Sequence, residues 1–481
     1  MLDEIKRLEN ISIRLESDPG KRAKISQDIA QFAESFLQSL QDRKAYVFSK
    51  ENGAGLADFM PQEEARSTES ILSVLDKQLL ESGLNPASGG HLGYIPGGGI
   101  PAAASGDYLA AITNRYATVF YASPGAVRME NLLIRWMCRM VGYPKNSLGY
   151  LSSGGSMANL AAVVAARDAK NITPKNIEHS VIYLTTQAHH CIDKALRIAG
   201  LATCIRHFVP MNDHFQMDAA ALASLIEKDK KDNLNPWLII ASAGTTDVGA
   251  IDPLDSIADI AEANHIWYHV DAAYGGFFLL SDKVKSKMNG ISRADSIVMD
   301  PHKGLFMPYG SGALLVKNKN DLSRSFYYQA NYMQDAIDPN DEISPAEISP
   351  ELSRHFRGLR LWLPLQLYGI KPFRAGLEEK MLLAQYFYKE IIKFNFETGP
   401  EPALSVMIYR FVPEKIKNNT AAVNTFNESL LTSVLEDGRV FISSTTIDGI
   451  YWLRLAVLSF RTHLKHIQIL LEILREKTSG L

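Results

Sequence analysis

The sequence predicts an α/β protein: a large domain with a mostly parallel central sheet, preceded by helices and followed by a small α+β domain. Between residues 181 and 317, short apolar runs alternate with segments of helical periodicity, which is typical of βα crossovers and a parallel sheet. After residue 361, helices and three apolar runs form a different pattern that indicates an antiparallel sheet. With 46% hydrophobic and 21% charged residues in a chain of 481, the protein can bury a large core.

The N-terminal part predicts two amphipathic helices, over Lys24–Asp42 and about Gln62–Glu81. In the first, apolar residues recur three or four positions apart and form one stripe. Such a stripe packs on the chain's own core more often than on a partner subunit, so this pattern alone favours the first interpretation. Glycine and proline crowd Ser82–Pro101, which predicts a loop that lines a site or a linker.

Each later element follows from a short local pattern, because apolar β-branched runs predict strands and apolar residues three or four apart predict helices. The predicted strands cover 181–186, 202–210, 237–246, 267–271, 296–300 and 312–317, then 403–412, 439–445 and 451–459. The predicted helices cover 191–199, 218–230 and 253–264, then 357–370, 376–393, 421–436 and 463–477. We therefore predict an N-terminal helical segment (1–85), a large α/β domain (86–360) and a small α+β domain (361–481).

The charge and cysteine content exclude several classes of protein. Lys plus Arg number 50 and Asp plus Glu 53, so the formal charge of −3 gives no electrostatic reason to bind nucleic acid or an anionic membrane. Three cysteines are too few for a disulfide framework and lack the CxxC pairs of a zinc site, which favours a reducing compartment and no metal. The N-terminus MLDEIKRLEN has the features of neither a secretory signal nor a transit peptide, and no apolar run is long enough for a membrane span. We expect a cytoplasmic protein whose ligand is a small molecule.

Reactive side chains follow three consecutive predicted strands. WLIIASAGTT ends at Thr245 and Thr246, WYHVD ends at Asp271, and SIVMD is followed by His302 and Lys303. Because the carboxyl ends of parallel strands meet at one edge of a sheet, these groups are expected to share a crevice. Taken singly, each has a structural explanation, since an Asp before Ala-Ala can cap a helix and a Lys after a strand is usually solvated.

A glycine-rich turn runs directly into a helix at LSSGGSMANLAAVVAA (151–166). The free N–H groups of such a helix start, its dipole and the hydroxyls of Ser152, Ser153 and Ser156 suit a phosphate. The stretch has neither the GxGxxG of dinucleotide sites nor the GxxxxGK[ST] of a P-loop, which disfavours NAD and ATP. A phosphate site, a carboxylate and an amine on one crevice are the groups that pyridoxal 5'-phosphate (PLP) requires.

Five strings carry a resemblance to a known family: HVDAAYGG, MDPHKG, SAGTTDVGAID, QAHH and SSGGSMAN. They closely resemble the group II PLP-dependent decarboxylases, in particular the aromatic-L-amino-acid decarboxylase branch, and the resemblance covers nearly the whole chain. It implies a fold type I enzyme, with 86–360 as the PLP-binding domain. It also implies a homodimer whose active sites lie at the subunit interface. Residues 1–85 then form a dimer clasp, a segment that packs on the partner subunit, and the apolar stripe is expected to contact that subunit rather than the core of its own chain.

The resemblance assigns roles residue by residue. It makes Lys303 the residue that forms the Schiff base with PLP and Asp271 the carboxylate that pairs with the ring nitrogen. His189, rather than His190, matches the histidine that stacks on the cofactor ring. Lys303 must lose a proton to react, and we expect burial beside another cation to lower its pKa.

Further residues match the cofactor contacts of the family at the ring and the phosphate. Besides Lys303, Asp271 and His189, they are Thr246 near the ring oxygen, Ala273 beneath the ring, and Gly155, Ser156 and His302 around the phosphate. Asp300 is a departure, because many relatives carry Asn there. A carboxylate beside a phosphate is repulsive unless it is protonated, paired or turned away.

The reaction implied is decarboxylation of an L-amino acid to an amine through a quinonoid intermediate. Counting from Lys303 without a gap, Tyr332 matches the mobile-loop tyrosine that reaches the neighbouring subunit's site and protonates the substrate carbon; Tyr327 and Tyr328 are rivals. An aromatic substrate is favoured, and Ser353 slightly favours a phenolic one. The alternatives are an aldehyde synthase or another fold type I reaction, a decarboxylase of a non-aromatic amino acid, and an inactive homologue that serves as a binding module.

Overall fold

The computed structural model describes residues 1–95, 97–328 and 342–479, and most of its strands form a seven-stranded and a four-stranded sheet. A short antiparallel pair, β1 with β2, lies apart from both. In chain order the strands are β1 (Tyr46–Val47), β2 (Gly83–Leu84), β3 (Leu148–Ser152), β4 (Ser180–Leu184), β5 (Ile205–Phe208), β6 (Asn235–Ser242), β7 (Trp267–Asp271), β8 (Ser296–Met299), β9 (Gly312–Val316), β10 (Phe396–Thr398), β11 (Val406–Phe411), β12 (Ser443–Ile447) and β13 (Ile450–Ala456).

The α-helices begin, in several cases, at a capping side chain or a proline. Asp18 and Asp218 each accept backbone N–H bonds at a helix start, and Pro19 and Pro101 each lie in a first turn. Within the three described ranges, no helix is both long and apolar enough to cross a membrane. In chain order the helices are α1 (Leu2–Ser12), α2 (Pro19–Ser39), α3 (Thr68–Val74), α4 (Pro101–Thr113), α5 (Pro124–Met140), α6 (Gly155–Ala169), α7 (Cys191–Ile198), α8 (Ala219–Lys231), α9 (Leu254–Ala263), α10 (Asp282–Lys285), α11 (Pro301–Gly304), α12 (Lys319–Phe326), α13 (Pro345–Ile348), α14 (Arg357–Tyr368), α15 (Lys371–Ile391), α16 (Thr420–Asp437) and α17 (Leu464–Thr478).

The central sheet has the strand order β3-β9-β8-β7-β6-β4-β5. Strands β8, β7, β6, β4 and β5 are parallel, and β9 runs antiparallel to both β8 and β3. The predicted mostly parallel sheet is therefore confirmed. Strands β8 and β9 are buried at every position, which explains why their sequences are continuous apolar runs rather than alternating ones. Strand β3, LGYLS, was not predicted because it mixes glycine and serine with its apolar residues.

The carboxyl ends of β6, β7 and β8 lie side by side because these strands are parallel neighbours. Ser242 at the end of β6 pairs with Asp271 at the end of β7, and Asp271 pairs with Val298 of β8. Residues that follow these three strands therefore emerge at the same edge of the sheet, as the sequence predicted.

The C-terminal sheet is antiparallel, with the order β10-β11-β13-β12, which confirms the α+β prediction for this part of the chain. Its apolar face packs in a separate hydrophobic cluster with α15 and α17. Strand β10 was not predicted, since three residues carry too little periodicity to be recognised.

The N-terminal helices differ from the prediction in their bounds, and their packing differs from the interpretation that the apolar stripe alone favoured. Helix α3 begins at Thr68, after the capping residue Ser67, and continues as a π-helical turn over Leu75–Leu80. The segment predicted as helical from Gln62 is therefore irregular before Thr68. Helices α1 and α2 have no buried residue, so their apolar residues do not pack into the core of this chain.

The glycine-rich loop before α4 lies between the central sheet and the C-terminal sheet. A Cβ on Gly97 would lie 2.0 Å from the backbone oxygen of His302, so only glycine permits this close approach. On the other side, the Leu92 N–H donates to the Phe441 carbonyl at 2.7 Å. The loop thus packs against the backbone beside Lys303.

Candidate active site

A cavity of about 330 Å³ lies at the carboxyl ends of β6, β7 and β8. Amide, carboxylate, imidazole, hydroxyl and amine groups converge on it from separate elements, as in a ligand site. Tyr332 lies outside the described residues, and its rivals Tyr327 and Tyr328 are exposed. The other site residues that the resemblance assigned all line the cavity: Gly155, Ser156, His189, Thr246, Asp271, Ala273, Asp300, His302 and Lys303. Ser152, whose hydroxyl was expected to suit a phosphate, is instead buried and donates to the Gly154 carbonyl.

Asp271 ends β7, and its carboxylate is held by two donors. Oδ1 accepts a hydrogen bond from the Ala273 N–H at 3.0 Å, and Oδ2 accepts one from the Asn159 side-chain amide at 3.0 Å. Hydrogen bonds donated to a carboxylate stabilise its charge and restrict its rotation. The structure thus supplies an oriented carboxylate where the sequence predicted the partner of the PLP ring nitrogen.

Lys303 lies in α11, directly after β8, with Nζ 3.1 Å from Asp300 Oδ2. Burial lowers the pKa of Lys303, but the Asp300 and Asp271 carboxylates outweigh burial, so the pKa ends above its usual value. The expectation that a neighbouring cation lowers this pKa is wrong, because the charged neighbours are anions. The amine therefore carries a proton that it must give up before it reacts, and the Asp300 carboxylate lies within reach of that proton.

Asp300 is buried and paired, which answers the question that its unusual identity raised. Its Oδ2 accepts from the Lys303 amine, and His302 Nε2 lies 3.8 Å from the same oxygen. Oδ1 has no hydrogen-bond partner in the part of the protein that the structure describes. A carboxylate can lie near a phosphate if it is protonated, paired or turned away, and Asp300 is paired.

The N-terminus of α6 lines one side of the cavity. Gly154 precedes the helix with a φ of +152°, which side chains disfavour, and a Cβ on Gly155 would lie 2.8 Å from Asp300 Oδ2. The first N–H groups of a helix have no intrahelical partner, and with the helix dipole they favour a phosphate. The Lys303 amine offsets the Asp300 charge nearby, so the residues present fit a phosphate-bearing aldehyde such as PLP.

His189 lines the cavity just before α7 and is half-buried, whereas His190 is exposed. The Nδ1 atom of His189 accepts from the Cys191 N–H at 3.3 Å. Burial lowers the pKa of His189, although the Asp271 carboxylate acts in the opposite direction. The ring is therefore neutral near pH 7, with its proton on Nε2, and can lie against an aromatic ring without the cost of burying a charge.

Thr246 is held in place from the other sheet by Arg454, to which the sequence assigned no role. Arg454 in β13 donates from Nε to the Thr246 carbonyl at 2.9 Å and to the Asp247 carbonyl at 3.0 Å, and from Nη1 to the Ser443 hydroxyl at 3.1 Å. The residue is 3% exposed, and burial lowers its pKa to about 10. Arg454 therefore couples the C-terminal sheet to the turn that carries Thr246.

Replacing Arg454 with methionine, which keeps an unbranched apolar side chain and removes the guanidinium donors, should loosen this turn. We expect the Kd for PLP to rise about tenfold and the free energy of unfolding to fall by about 3 kcal/mol, because buried carbonyls lose charged donors. Titration of the apoprotein with PLP and denaturant unfolding measure the two effects. Arg410→Met is the matched control, since Arg410 pairs with the half-exposed Glu397 and should cost below about 1 kcal/mol. An unchanged Kd in Arg454→Met would contradict the positioning role.

The side chains at the cavity that were not predicted include Asn159 and Gln187. Asn159 lies one helical turn after Gly155 in α6, so its amide reaches Asp271. That spacing of four was the signal that could have identified it. Gln187 is buried on the cavity wall, and its Oε1 has no hydrogen-bond partner among the described residues. Gln187 is the first residue of the QAHH string, but the resemblance assigned a role only to His189 in that string.

Comparison with known proteins identifies relatives across most of the chain. The family model described as the pyridoxal-dependent decarboxylase conserved domain matches residues 56–411. An aromatic-L-amino-acid decarboxylase of Bacillus atrophaeus is 32% identical over 385 residues, which are 79% of this chain and 80% of the relative. A phenylacetaldehyde synthase of Petunia hybrida is 30% identical over 400 residues, 79% of each protein. The crystal structure of Oryza sativa TDC with PLP and tryptamine shares the fold, with a TM-score of 0.90 at 23% identity over 96% of this chain and 98% of that one.

Proposed function

Because this chain belongs to the pyridoxal-dependent decarboxylase family, we propose that it converts an aromatic L-amino acid into the corresponding amine and carbon dioxide. The observation that carries the proposal is the convergence of the Lys303 amine, the Asp271 carboxylate and the N-terminus of α6 on one cavity. When bound, PLP withdraws the electron pair left on the substrate's α-carbon as carbon dioxide departs. The three groups match the aldehyde, the ring nitrogen and the phosphate of PLP.

Each residue at the cavity then has a separate task. Lys303 binds the cofactor through Nζ, and Asp271 holds a proton on the ring nitrogen through its carboxylate. His189 covers the ring and excludes water, and Thr246 orients it. The first amides of α6 bind the phosphate together with Ser156.

The substrate class follows from the relatives and from the absence of a predicted cation in the loop before α4. The Bacillus atrophaeus relative is an aromatic-L-amino-acid decarboxylase. An acidic substrate would require a cationic partner for its distal carboxylate, and residues 89–106 contain no arginine or lysine. We therefore place aromatic L-amino acids first, with phenolic side chains before indolic ones because of Ser353.

A panel of L-amino acids tests this proposal. The purified, PLP-loaded protein is incubated with tyrosine, phenylalanine, tryptophan and glutamate, and amine is measured to give kcat/KM for each. We expect the highest value for tyrosine and no turnover of glutamate. Preferential turnover of glutamate would contradict the substrate class, and a protein that retains no cofactor absorbance once free PLP is removed would instead be the inactive homologue.

Tyr332 is proposed as the proton donor to the substrate's α-carbon, from its match to the family's loop tyrosine. Tyr332→Phe removes the hydroxyl and keeps the ring, so carbon dioxide should still be lost while protonation fails. The carbon then reacts with oxygen: amino acid, O₂ and water yield aldehyde, carbon dioxide, ammonia and hydrogen peroxide. We expect the amine rate to fall by about 10²-fold or more, with aldehyde and peroxide appearing in air.

Product analysis under air and under nitrogen checks this prediction, and Tyr328→Phe is the control because Tyr328 is 88% exposed. A wild-type amine rate without peroxide in Tyr332→Phe would show that another group is the donor. Wild-type protein that itself yields peroxide would favour the second candidate function, the aldehyde synthase, as in the Petunia hybrida relative.

A homodimer is proposed from the N-terminal helices. Helix α1 exposes Leu2, Ile5, Leu8 and Ile11, which recur at spacings of three along one side and are each at least 50% exposed. A helix with an apolar stripe is stable in water only when the stripe is covered. A second copy of the chain is the occupant that the family's dimeric arrangement implies.

Complementation between two variants tests the dimer and the sharing of its sites. Lys303→Ala and Tyr332→Phe should each make little amine alone, whereas random heterodimers carry one site with both residues intact. Since half of the dimers are mixed and each restores one of two sites, amine formation should recover to about a quarter of the wild-type level. Sedimentation of the wild type measures the assembly directly, and an active monomer would contradict the proposal.

A cytoplasmic location is proposed from the cysteines. Cys138, Cys191 and Cys204 are all buried and free, as in proteins of a reducing compartment. Fractionation of cells that express the protein would test this location.

A further inference from the structure

A buried hydrogen-bond chain approaches Asp271 from behind. Trp267, His269 and Asp271 are alternate residues of β7, so their side chains lie on the same face of the strand. His269 Nε2 lies 2.8 Å from Asn159 Oδ1, and the Asn159 amide donates to Asp271 Oδ2 at 3.0 Å. His269 Nδ1 lies 2.8 Å from Ser296 Oγ, which also accepts from the Trp267 indole at 2.9 Å. Asn159, His269 and Ser296 are each no more than 1% exposed.

The two ends of this chain determine its direction. An indole N–H can only donate, so the Ser296 oxygen accepts from Trp267 and its own proton is free for His269 Nδ1. At the other end, the carboxylate of Asp271 can only accept, so the Asn159 NH₂ faces it and the Asn159 oxygen faces His269. His269 therefore carries its proton on Nε2. Every donor in the chain points toward Asp271.

The surroundings keep His269 neutral. Burial lowers the pKa of His269 to about 4, although the Asp271 carboxylate acts in the opposite direction. The Cys191 thiol, 3.4 Å from the Asn159 amide nitrogen, is the other titratable group at the chain, and burial raises its pKa to about 12. Neither His269 nor Cys191 gains or loses a proton near pH 7, so the hydrogen-bond chain acts by orientation and polarisation.

We propose that Asn159 and His269 are positioning residues. They stabilise the negative charge of the Asp271 carboxylate and fix its orientation, so that it can keep the cofactor's ring nitrogen protonated. This inference rests on the proposed function, in which Asp271 is the partner of that nitrogen. Asn159 and His269 do not act on the substrate. They stabilise the carboxylate through one donated hydrogen bond that is itself polarised by the next.

The test uses the protein loaded with PLP that carries ¹⁵N at its ring nitrogen. The ¹⁵N chemical shift is followed against pH, and the Kd for PLP is measured by titrating the apoprotein. In His269→Leu and Asn159→Leu, the pH at which the ring nitrogen loses its proton should fall by about one unit and the Kd should rise about tenfold, as expected when a hydrogen bond to a charged group is lost. His269→Gln, which can still donate to Asn159, should recover most of both effects.

Tyr268→Phe is the matched control, because Tyr268 is the neighbouring buried residue of β7 and its hydroxyl bonds instead to the Leu254 carbonyl. It should leave the ring-nitrogen titration unchanged. If the leucine variants fail to fold, Ser296→Ala replaces them. It removes the hydroxyl that donates to His269 Nδ1, so that His269 can carry its proton on either ring nitrogen. The pH at which the cofactor's ring nitrogen loses its proton should then fall by less than in the leucine variants. A wild-type titration in the folded leucine variants, or in Ser296→Ala where they do not fold, overturns the inference.

The Asp271→Asn variant separates this inference from the proposed function. If its ring nitrogen titrates as in the wild type, Asp271 is not the partner of that nitrogen and the proposed function loses its assignment at this position. If Asp271→Asn shifts the titration but the Asn159 and His269 variants do not, the proposed function stands and the positioning role is wrong.

Discussion

Replacing Lys303 with alanine should abolish amine formation and the covalent attachment of PLP. Lys303 is the only lysine among the described residues that line the cavity, and it lies beside Asp300 and Asp271. A positioned group of this kind has an effective molarity of about 10⁵ M or more, so we expect kcat/KM to fall by at least about 10⁴-fold. Amine assays and the visible absorbance of the PLP-loaded protein measure the two losses.

Borohydride reduction followed by peptide mapping identifies the attached lysine directly. In the wild type the reduced cofactor should be found on Lys303. Lys194→Ala is the control, because Lys194 is an exposed lysine of the adjacent helix α7 and should be dispensable. Cofactor recovered on a different lysine would refute the assignment.

Asp271→Asn should retain the fold and lose about three orders of magnitude in kcat. An amide has one acceptor oxygen, so it can accept from only one of the two donors, Ala273 and Asn159, and it carries no charge to oppose that of a protonated ring nitrogen. With that nitrogen neutral, the cofactor withdraws electrons from the substrate carbon less strongly. The Kd for PLP should rise as well, because a charged pair is replaced by a single neutral hydrogen bond at best.

Steady-state kinetics and PLP titration check this prediction, with thermal unfolding as the measure of folding. Asp193→Asn is the control, since Asp193 lies in the nearby helix α7 and its carboxylate forms an exposed pair with Arg206 of β5. Near-normal kcat in Asp271→Asn would mean that the carboxylate serves some other purpose.

The central sheet and the cavity could be predicted because parallel strands leave strong local signals. Strands β6, β7 and β8 are largely buried runs, and their carboxyl ends carry Thr246, Asp271 and Lys303 within a few residues. Once the strands are known to be parallel, the convergence of these groups follows from the geometry of the sheet. The family resemblance then supplied fold type I and the cofactor, both of which the comparisons support.

What the sequence did not predict depends on contacts between distant segments. Arg454 reaches Thr246 from a different sheet, and the Asn159 and His269 pair joins a helix to a strand more than 100 residues away. Periodicity within a single element cannot reveal such pairs. The expectation for Lys303 was wrong because it considered a neighbouring cation, whereas the pKa depends on the carboxylates of Asp300, three residues earlier, and of Asp271, which the fold brings near it.

The products released from L-tyrosine in air test the central claim most directly. Carbon dioxide, tyramine, aldehyde and hydrogen peroxide are measured in one sample of the PLP-loaded protein. We predict equal amounts of tyramine and carbon dioxide, no peroxide, and loss of all products in Lys303→Ala. Carbon dioxide accompanied by aldehyde and peroxide would contradict simple decarboxylation, and no carbon dioxide from tyrosine or any other aromatic L-amino acid would contradict the proposed function itself.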